Sequence, residues 1–474
     1  MTNALFLRMR NNEKKEFMVD LLIKNGLIIQ GGNEILQDIL IRDEKIYAVD
    51  NNIVTDQPVE IIQADGRMIF PGGVDPHVHM ELPTPAGNSS DDFYSGSKAA
   101  IAGGTTTFID FVTPGKGESL ISAFLKRKKL AEKSITDYSF HVSPTWWGNE
   151  SANEMEILVK EHGIRSFKCY MAYQETVGIT DSELMKVMRT AKKLDALVTL
   201  HCEDNGIIQQ NIQKYLGQGN VSPKYHALSR PPAAEALAVK KAIDFAAVTG
   251  CRIYIVHVST SGAVDLIRKA RSSGLEVYGE TCPQYLLLDD SVYDQPFEKS
   301  APFVISPPLR KKEDRQALWE ALADGTLQTV GTDHCPFNLK GQKDLGKEDF
   351  TKIPNGAGGV EHRLSLLYTY GVLTKKISLK KLQEITSENP ASVFGLKTKD
   401  SPKHGIDADL VIWSSDKESE ISTATHHQNC DSNIYEGLKI TGIPGIVIAG
   451  GEIVFMDNRF NERGRKGKFL GDQN

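Results

Sequence analysis

One local pattern recurs along this chain and limits its fold more than any other: an apolar run that reads as a strand, closed by a residue able to hold a metal. Asp75-Pro76-His77-Val78-His79 opens the series. Lys168 sits in Ser166-Phe167-Lys168-Cys169-Tyr170, His201 ends Ala196-Leu197-Val198-Thr199-Leu200, and His257 lies in Tyr254-Ile255-Val256-His257-Val258-Ser259. Asp333 follows Gln328-Thr329-Val330 by way of Gly331-Thr332. Strands that each deliver a ligand-type residue at the same end build the carboxyl rim of a closed parallel barrel.

The middle of the chain fits that architecture. Strand candidates are Met68 to Phe70, Thr105 to Phe111, Tyr138 to Val142, Arg165 to Tyr170, Ala196 to Leu200, Arg252 to Val258, Glu276 to Tyr278 and Leu327 to Val330. Helix-like stretches lie between them, among them Leu120 to Lys133, Ser182 to Leu194, Ala233 to Val248, Ala263 to Arg271 and Glu313 to Ala323. Eight strands alternating with helices predict an α/β fold, a (β/α)8 TIM-like barrel. A doubly wound open sheet is the rival, but no G-x-G-x-x-G follows a strand.

Both ends read differently. Leu21-Leu22-Ile23 and Leu27-Ile28-Ile29 flank Lys24-Asn25-Gly26, a hairpin signal. Ile39 to Ile41 and Ile46 to Val49 follow, split by Arg42-Asp43-Glu44-Lys45. The far end repeats this texture in Asp409 to Trp413, Ile446 to Ile448 and Ile453 to Phe455. Two β-rich ends around a different middle predict one small β-sandwich assembled from residues 1–66 and 396–474, with the barrel over 67–395.

The 474 residues leave room for both units, and their net charge of -6 gives no support to a nucleic-acid or anionic-membrane partner. No apolar run approaches the roughly 20 residues that span a bilayer. Ala4 to Leu7 is too short for a signal-peptide core. The six cysteines (169, 202, 251, 282, 335, 430) are scattered without a C-x-x-C pair, the pattern of reduced thiols in the cytoplasm. Cys169, Cys202 and Cys335 flank proposed ligands, yet buried thiols of this kind are more often small hydrophobes.

The candidate ligands are weak one by one and strong together. His77 and His79, two apart in an extended segment, point to the same side and can reach one metal. Singly, His201 or His257 is more often a hydrogen-bonded core histidine, Asp333 a helix cap, and Lys168 a salt-bridged surface residue. Their common placement after strands overturns those separate readings. Lys168 is the odd member, because an ammonium cannot bind a cation. Carboxylation by CO2 would turn it into a carbamate, whose two oxygens can bridge two metals.

At this point the chain resembles the dihydropyrimidinase/hydantoinase family of the amidohydrolase superfamily. The resemblance is carried by Pro71-Gly72-Gly73-Val74-Asp75-Pro76-His77-Val78-His79, Asp91-Asp92-Phe93-Tyr94, Gly103 to Thr107, Ser166 to Tyr173, Glu280-Thr281-Cys282-Pro283-Gln284-Tyr285-Leu286, Ser306-Pro307-Pro308-Leu309-Arg310, Asp333-His334-Cys335 and Ile353-Pro354-Asn355-Gly356. It extends from about residue 20 to Phe469. It implies two divalent metal ions per subunit, zinc above manganese or cobalt. His77, His79 and Asp333 hold the first, His201 and His257 the second, and a CO2-derived carbamate on Lys168 joins them. The implied reaction is hydrolysis of a cyclic amide to an N-carbamoyl amino acid by a metal-bridging hydroxide. Asp333 acts as general base and then acid. Tyr173 hydrogen-bonds the developing oxyanion, and main-chain groups of Ser306 and Asn355 hold the amide face of the ring.

Relatives acting on an anionic ring carry an arginine two residues after the second histidine, where it grips a carboxylate. Glu81 stands there instead, which favours a neutral ring, a 5,6-dihydropyrimidine or a 5-substituted hydantoin. Met80, Leu82, Val112 and Tyr170 are candidate walls for the ring substituent, and Trp146-Trp147 a candidate stack or a piece of rim packing. Two other readings stay open: an allantoinase or other ureide-ring hydrolase with the same ligands, and a non-catalytic assembly protein on the same fold. The basic tail Gly464 to Phe469 reads as a solvated terminus. The resemblance implies instead that it packs on a neighbouring subunit of a homotetramer.

Overall fold

The structure, a computed structural model, describes residues 20–30, 33–461 and 465–473. The stretch Ala4 to Leu7, read for a signal segment, lies outside the described residues, as does Gly464 of the tail. Eight parallel strands form the barrel sheet: Gly73–Val78, Thr105–Val112, Asp137–Val142, Ser166–Tyr170, Leu197–His201, Ile253–Ile255, Val277–Thr281 and Thr329–Val330. Most of their residues are buried on both faces, which is why they read as near-continuous apolar runs. The predicted helices lie between them, at Leu120–Ala131, Asp181–Lys193, Pro232–Thr249, Ser261–Ser272 and Lys312–Asp324.

The first barrel strand differs from the predicted one. Met68–Pro71 pairs with Asp20–Gln30 and Leu410–Glu420 in the terminal sheet, and Gly73–Val78 takes its place in the barrel. Pro76 inside that segment, next to Gly72-Gly73, argues locally against a strand. Its position beside the barrel seam explains the tolerance. At that seam Val78 bridges to His334, and Arg363 donates through Nη1 to Val74 O and Val330 O, both at 2.9 Å. Asp75 accepts from Thr332 Oγ1 at 2.6 Å across the same gap. The barrel is thus closed as much by buried side chains as by strand pairing.

The two ends build one nine-stranded sheet, from Asp20–Gln30, Asn33–Arg42, Lys45–Asp50, Val59–Gln63 and Met68–Pro71 at one end and Leu410–Glu420, Lys439–Ala449, Glu452–Met456 and Arg459–Phe460 at the other. Ile23, Ile39, Ile69, Leu410, Ile412 and Ile448 meet in one apolar cluster, so side chains from both ends share a core. The hairpin predicted at Lys24-Asn25-Gly26 is absent: residues 20–30 are one strand with a bulge between Ile23 and Gly26. Asn25 takes a left-handed φ of 53°, and Asp38 on the neighbouring strand accepts from its N–H at 2.9 Å and pairs with Lys24. A Cβ at Gly26 would fall 2.0 Å from Ile69 Cδ1, so glycine serves close packing there rather than a turn.

The end of the tail is not frayed into solvent: Phe469 and Leu470 are buried and seal the base of the chain's own barrel. Phe469 packs against Phe124, Tyr138 and Phe140, with ring centroids 5.7, 5.9 and 5.7 Å away. Leu470 joins Val74, Ile109, Leu197 and Tyr254 beneath the barrel interior. Arg465 reaches Asp137 at 2.6 Å, and Lys399 reaches Asp137 at 2.6 Å and Asp409 at 2.5 Å. This buried cluster ties barrel, tail and terminal sheet together.

Burial alone would raise the Asp137 carboxyl, but Lys399 and Arg465 outweigh it and hold it at about 2. A depressed carboxylate stabilises the fold above its unfolded pKa of about 4, and that stability is lost as pH falls through about 2. Unfolding midpoints in urea should therefore fall between pH 4 and pH 2, and Asp137→Asn should flatten that dependence. An unchanged slope in Asp137→Asn would remove Asp137 as the cause.

Candidate metal centre and active site

All six candidate ligands line one cavity of about 1370 Å³ at the carboxyl end of the barrel, together with Tyr173, Ser306 and Asn355. His77 and His79 leave the first strand on the same side, as alternation requires, and Asp333 arrives from beyond the last. His77 Nε2 and His79 Nε2 are 3.2 Å apart, and each is 3.1 Å from the same oxygen, Asp333 Oδ1. Among the described residues this trio is the only group of three His, Cys, Asp or Glu side chains with metal-ligand spacing. His201 Nδ1 lies 3.0 Å from His257 Nε2, forming a second convergent pair.

Lys168 is 1% exposed, with Nζ over the Phe111 ring at 4.9 Å and the Tyr170 ring at 5.1 Å. Among the described residues its Nζ makes no ion pair with a carboxylate. Burial pushes its ammonium down to about 8, against the pull of Asp333 and Glu280. Lowering the pKa raises the neutral fraction relative to an exposed lysine, and reaction with CO2 needs that free lone pair.

The donor set fits a cation. Burial lowers His79 to about 4 and pulls His201 below the usual imidazole range, leaving neutral rings with lone pairs to offer. His77 behaves oppositely: burial would lower it, but Glu280 and Asp333 raise it to about 9. Two buried carboxylates around one imidazole call for positive charge, which a proton supplies here and a divalent cation would supply better. Asp333 is held well below the usual carboxylate range because His77 and His79 outweigh its burial. The Nδ1 atoms of His79 and His257 are buried without a hydrogen-bond partner.

Strain concentrates here as well. Glu81, Tyr173, His257 and Asp333 line the cavity with left-handed φ values of 48°, 58°, 39° and 53°. For non-glycine residues each such conformation costs on the order of 1 kcal/mol or more, and persists where surrounding structure enforces it. Of the predicted walls, Leu82, Val112 and Tyr170 line the cavity, but Met80 is not among the lining residues. It is fully buried, close enough that a Cβ at Gly96 would lie 2.2 Å from its Sδ. Trp146 donates to Glu118 O at 2.9 Å and Trp147 packs on the core; neither lines the cavity.

Several residues with no role expected from the sequence hold the candidate ligands in place. Glu280 accepts from His77 Nδ1 at 2.7 Å, which leaves Nε2 to face the centre. Glu203 accepts from His201 Nε2 at 2.9 Å, which frees Nδ1 instead, and Arg230 pairs with Glu203 at 2.5 Å. The Arg230 guanidinium also sits 5.1 Å from the Tyr173 ring. The one sequence signal was an acid two residues after His201, on the same side of an extended segment. Carboxylates that orient metal-binding histidines typically matter 10- to 100-fold to metal affinity. Glu280→Ala should therefore lose metal to a chelator roughly 10- to 100-fold more readily than the parent, by competition titration. Equal retention would show that His77 needs no such partner.

An eight-stranded parallel barrel with this histidine, carboxylate and lysine constellation at its carboxyl rim defines the amidohydrolase class of hydrolases. The sequence profile of the amidohydrolase family matches residues 68–454. The chain is 42% identical over 451 residues to D-hydantoinase of Geobacillus stearothermophilus, covering 95% of this chain and 96% of that protein. It is 38% identical over 458 residues to dihydropyrimidinase of Rattus norvegicus, covering 95% and 88%. The solved structure of dihydropyrimidinase from Brevibacillus agri superimposes with a TM-score of 0.93 at 40% identity, covering 95% and 98% of the two chains. The chain belongs to the amidohydrolase family, in its dihydropyrimidinase/hydantoinase branch.

Proposed function

We propose that this protein is an enzyme that hydrolyses the cyclic amide of a neutral ring, a 5,6-dihydropyrimidine or a 5-substituted hydantoin, to the N-carbamoyl amino acid. The observation that carries the proposal is the convergence of His77, His79 and Asp333 on one point beside Lys168 and the His201–His257 pair. Relatives similar over nearly the whole chain are named D-hydantoinase and dihydropyrimidinase. Glu81 lines the cavity where an anion-binding relative needs arginine, and its carboxylate lies 3.6 Å from Lys133.

In this reading His77, His79 and Asp333 would hold one divalent ion and His201 and His257 a second, with carbamylated Lys168 as an anionic oxygen donor beside them. Zinc suits so imidazole-rich a set. Bound there, the ions would supply Lewis acidity and bring water's pKa toward about 7. The Lys168 amine forms its N–C bond to CO2 and releases one proton, giving the anionic side chain. Asp333 takes a proton from the attacking water and returns it to the leaving ring nitrogen. The Tyr173 phenol, kept protonated by burial and beside Ser306 and Asn355, donates to the carbonyl oxygen as it gains charge. Main-chain groups of Ser306 and Asn355 hold the ring amide in plane.

A homotetramer in the cytoplasm completes the proposal. It is supported by the family resemblance and by six cysteines that are all unpaired. No helix among the described residues is long and apolar enough to cross a membrane. The deciding test assays dihydrouracil, hydantoin, a phenyl-substituted hydantoin and allantoin side by side, with metal quantified in the same sample. Turnover of dihydrouracil or a hydantoin supports the proposal, turnover of allantoin alone reassigns the enzyme to ureides, and no turnover in metal-loaded protein ends it.

A further inference from the structure

Lys343 is 1% exposed and lies behind the cavity wall rather than on it. Its Nζ donates to Val304 O at 3.0 Å and to Pro354 O at 3.1 Å. Among the described residues no carboxylate pairs with it. Burying a long amine without a counter-ion is costly, and two main-chain carbonyls are a modest return for the fold alone. Val304 stands two residues before Ser306, and Pro354 one residue before Asn355. The same Val304 carbonyl also accepts from Gly356 N–H at 3.0 Å. Lys343 therefore ties together the two segments that carry Ser306 and Asn355, and both of those residues line the cavity.

The neighbouring contacts limit where those segments can move. Ile305 O accepts from His226 Nε2 at 2.9 Å, anchoring the Ser306 segment from its other side. A Cβ on Gly356 would lie 2.3 Å from Cys335 O, so the Asn355 segment is already pressed against the loop that carries Asp333. A Cβ on Gly346, three residues after Lys343, would lie 2.2 Å from Ile353 Cγ1, so the short helix bearing Lys343 is packed just as closely. With both flanks fixed, the remaining freedom is the separation of the two segments, which the Lys343 amine spans beside the single Gly356–Val304 main-chain hydrogen bond.

We propose that Lys343 is a positioning residue that sets the spacing of the Ser306 and Asn355 segments and so the fit of the substrate's planar amide between them. This rests on the reading that main-chain groups of those segments grip the ring. Burial pulls the Lys343 amine down to about 7, and even its neutral form carries two N–H groups, enough to donate to both carbonyls. Held at a fixed spacing, the segments bind ground state and transition state alike, so their loss should appear in KM rather than kcat.

The test compares Lys343→Met, which keeps the stem and removes both donors, with Lys343→Arg, which keeps donors. Metal content, steady-state kinetics on the best ring substrate and hydrogen exchange at the Gly356 amide are measured on each. Lys343→Met should raise KM about tenfold or more with kcat within about threefold and metal unchanged, while Gly356 exchanges at least about tenfold faster. Lys343→Arg should recover part of both losses. Should Lys343→Met not fold, Lys343→Gln, with a shorter neutral donor, carries the same comparison. A folded variant with KM and Gly356 exchange like the parent overturns the proposal, as does one that loses only thermal stability. If the parent turns over no ring while Gly356 exchange still rises, the assigned reaction fails and the tie is structural only.

Discussion

Lys168→Ala loses bound metal and activity together. The expected result is fewer than about one metal per chain, against about two in the parent, with kcat/KM lower by roughly three orders of magnitude or more, since metal assistance supplies several kcal/mol. The reasoning begins from a lysine that is buried, close to two aromatic faces, and pulled down to about 8 by its surroundings. Four imidazoles and Asp333 surround it within one cavity. A lysine kept only for packing would be replaceable by methionine, which has similar volume and no lone pair on nitrogen to offer CO2. Lys168→Met should therefore fail as completely as Lys168→Ala. Zinc at 100 times its dissociation constant should stabilise the parent by about 2.7 kcal/mol against thermal unfolding. Neither variant should show that gain, and reconstitution of metal-free parent should be faster with bicarbonate. A Lys168→Ala protein that keeps two metals per chain would refute the bridge.

The parts of this site legible in the sequence are those that local chemistry marks. Barrel strands buried on both faces leave unbroken apolar runs, and the candidate ligands stand in or just after them, so the text alone picks out His201, His257 and Lys168 as residues that come to line one cavity. Alternation argues against Met80 as a cavity wall. With His77, His79 and Glu81 on the cavity side, Met80 must face the core, and it does. The failures have one physical source, partners distant in the chain. Asp38, 13 residues from Asn25, converts an apparent hairpin into a bulge. Glu280 is 203 residues from His77, and Arg230 is 27 from Glu203. No periodicity records such pairings, because only closure of the barrel brings them together. The tail shows the same limit: a basic run looks solvated until Asp137 and the aromatic base of the barrel are placed beside it.

Asp333→Asn should separate proton transfer from metal holding. Asp333 Oδ1 is 3.1 Å from both His77 Nε2 and His79 Nε2, in a left-handed backbone turn with φ 53°. Asparagine has nearly the same shape and can keep a carbonyl oxygen at that point, so most of the ligand geometry survives. It cannot accept a proton. General base catalysis contributes about 10²- to 10⁴-fold, so kcat should fall by roughly that factor while KM stays within about threefold. Because His77 and His79 hold the carboxyl well below its usual range, Asp333 is ionised throughout the neutral region and available as a base there. The loss in Asp333→Asn should accordingly be similar at every pH from about 6 to 9 rather than confined to one limb. Tyr173→Phe removes a single oxyanion donor and should cost about 10²- to 10³-fold in kcat, with metal untouched because the phenol is not a ligand. The informative comparison is metal per chain against kcat: Lys168→Ala should lose both, Asp333→Asn mainly kcat, and Tyr173→Phe kcat alone. An Asp333→Asn enzyme that keeps full metal and more than about a tenth of parental kcat would leave Asp333 a ligand and assign the proton to another group.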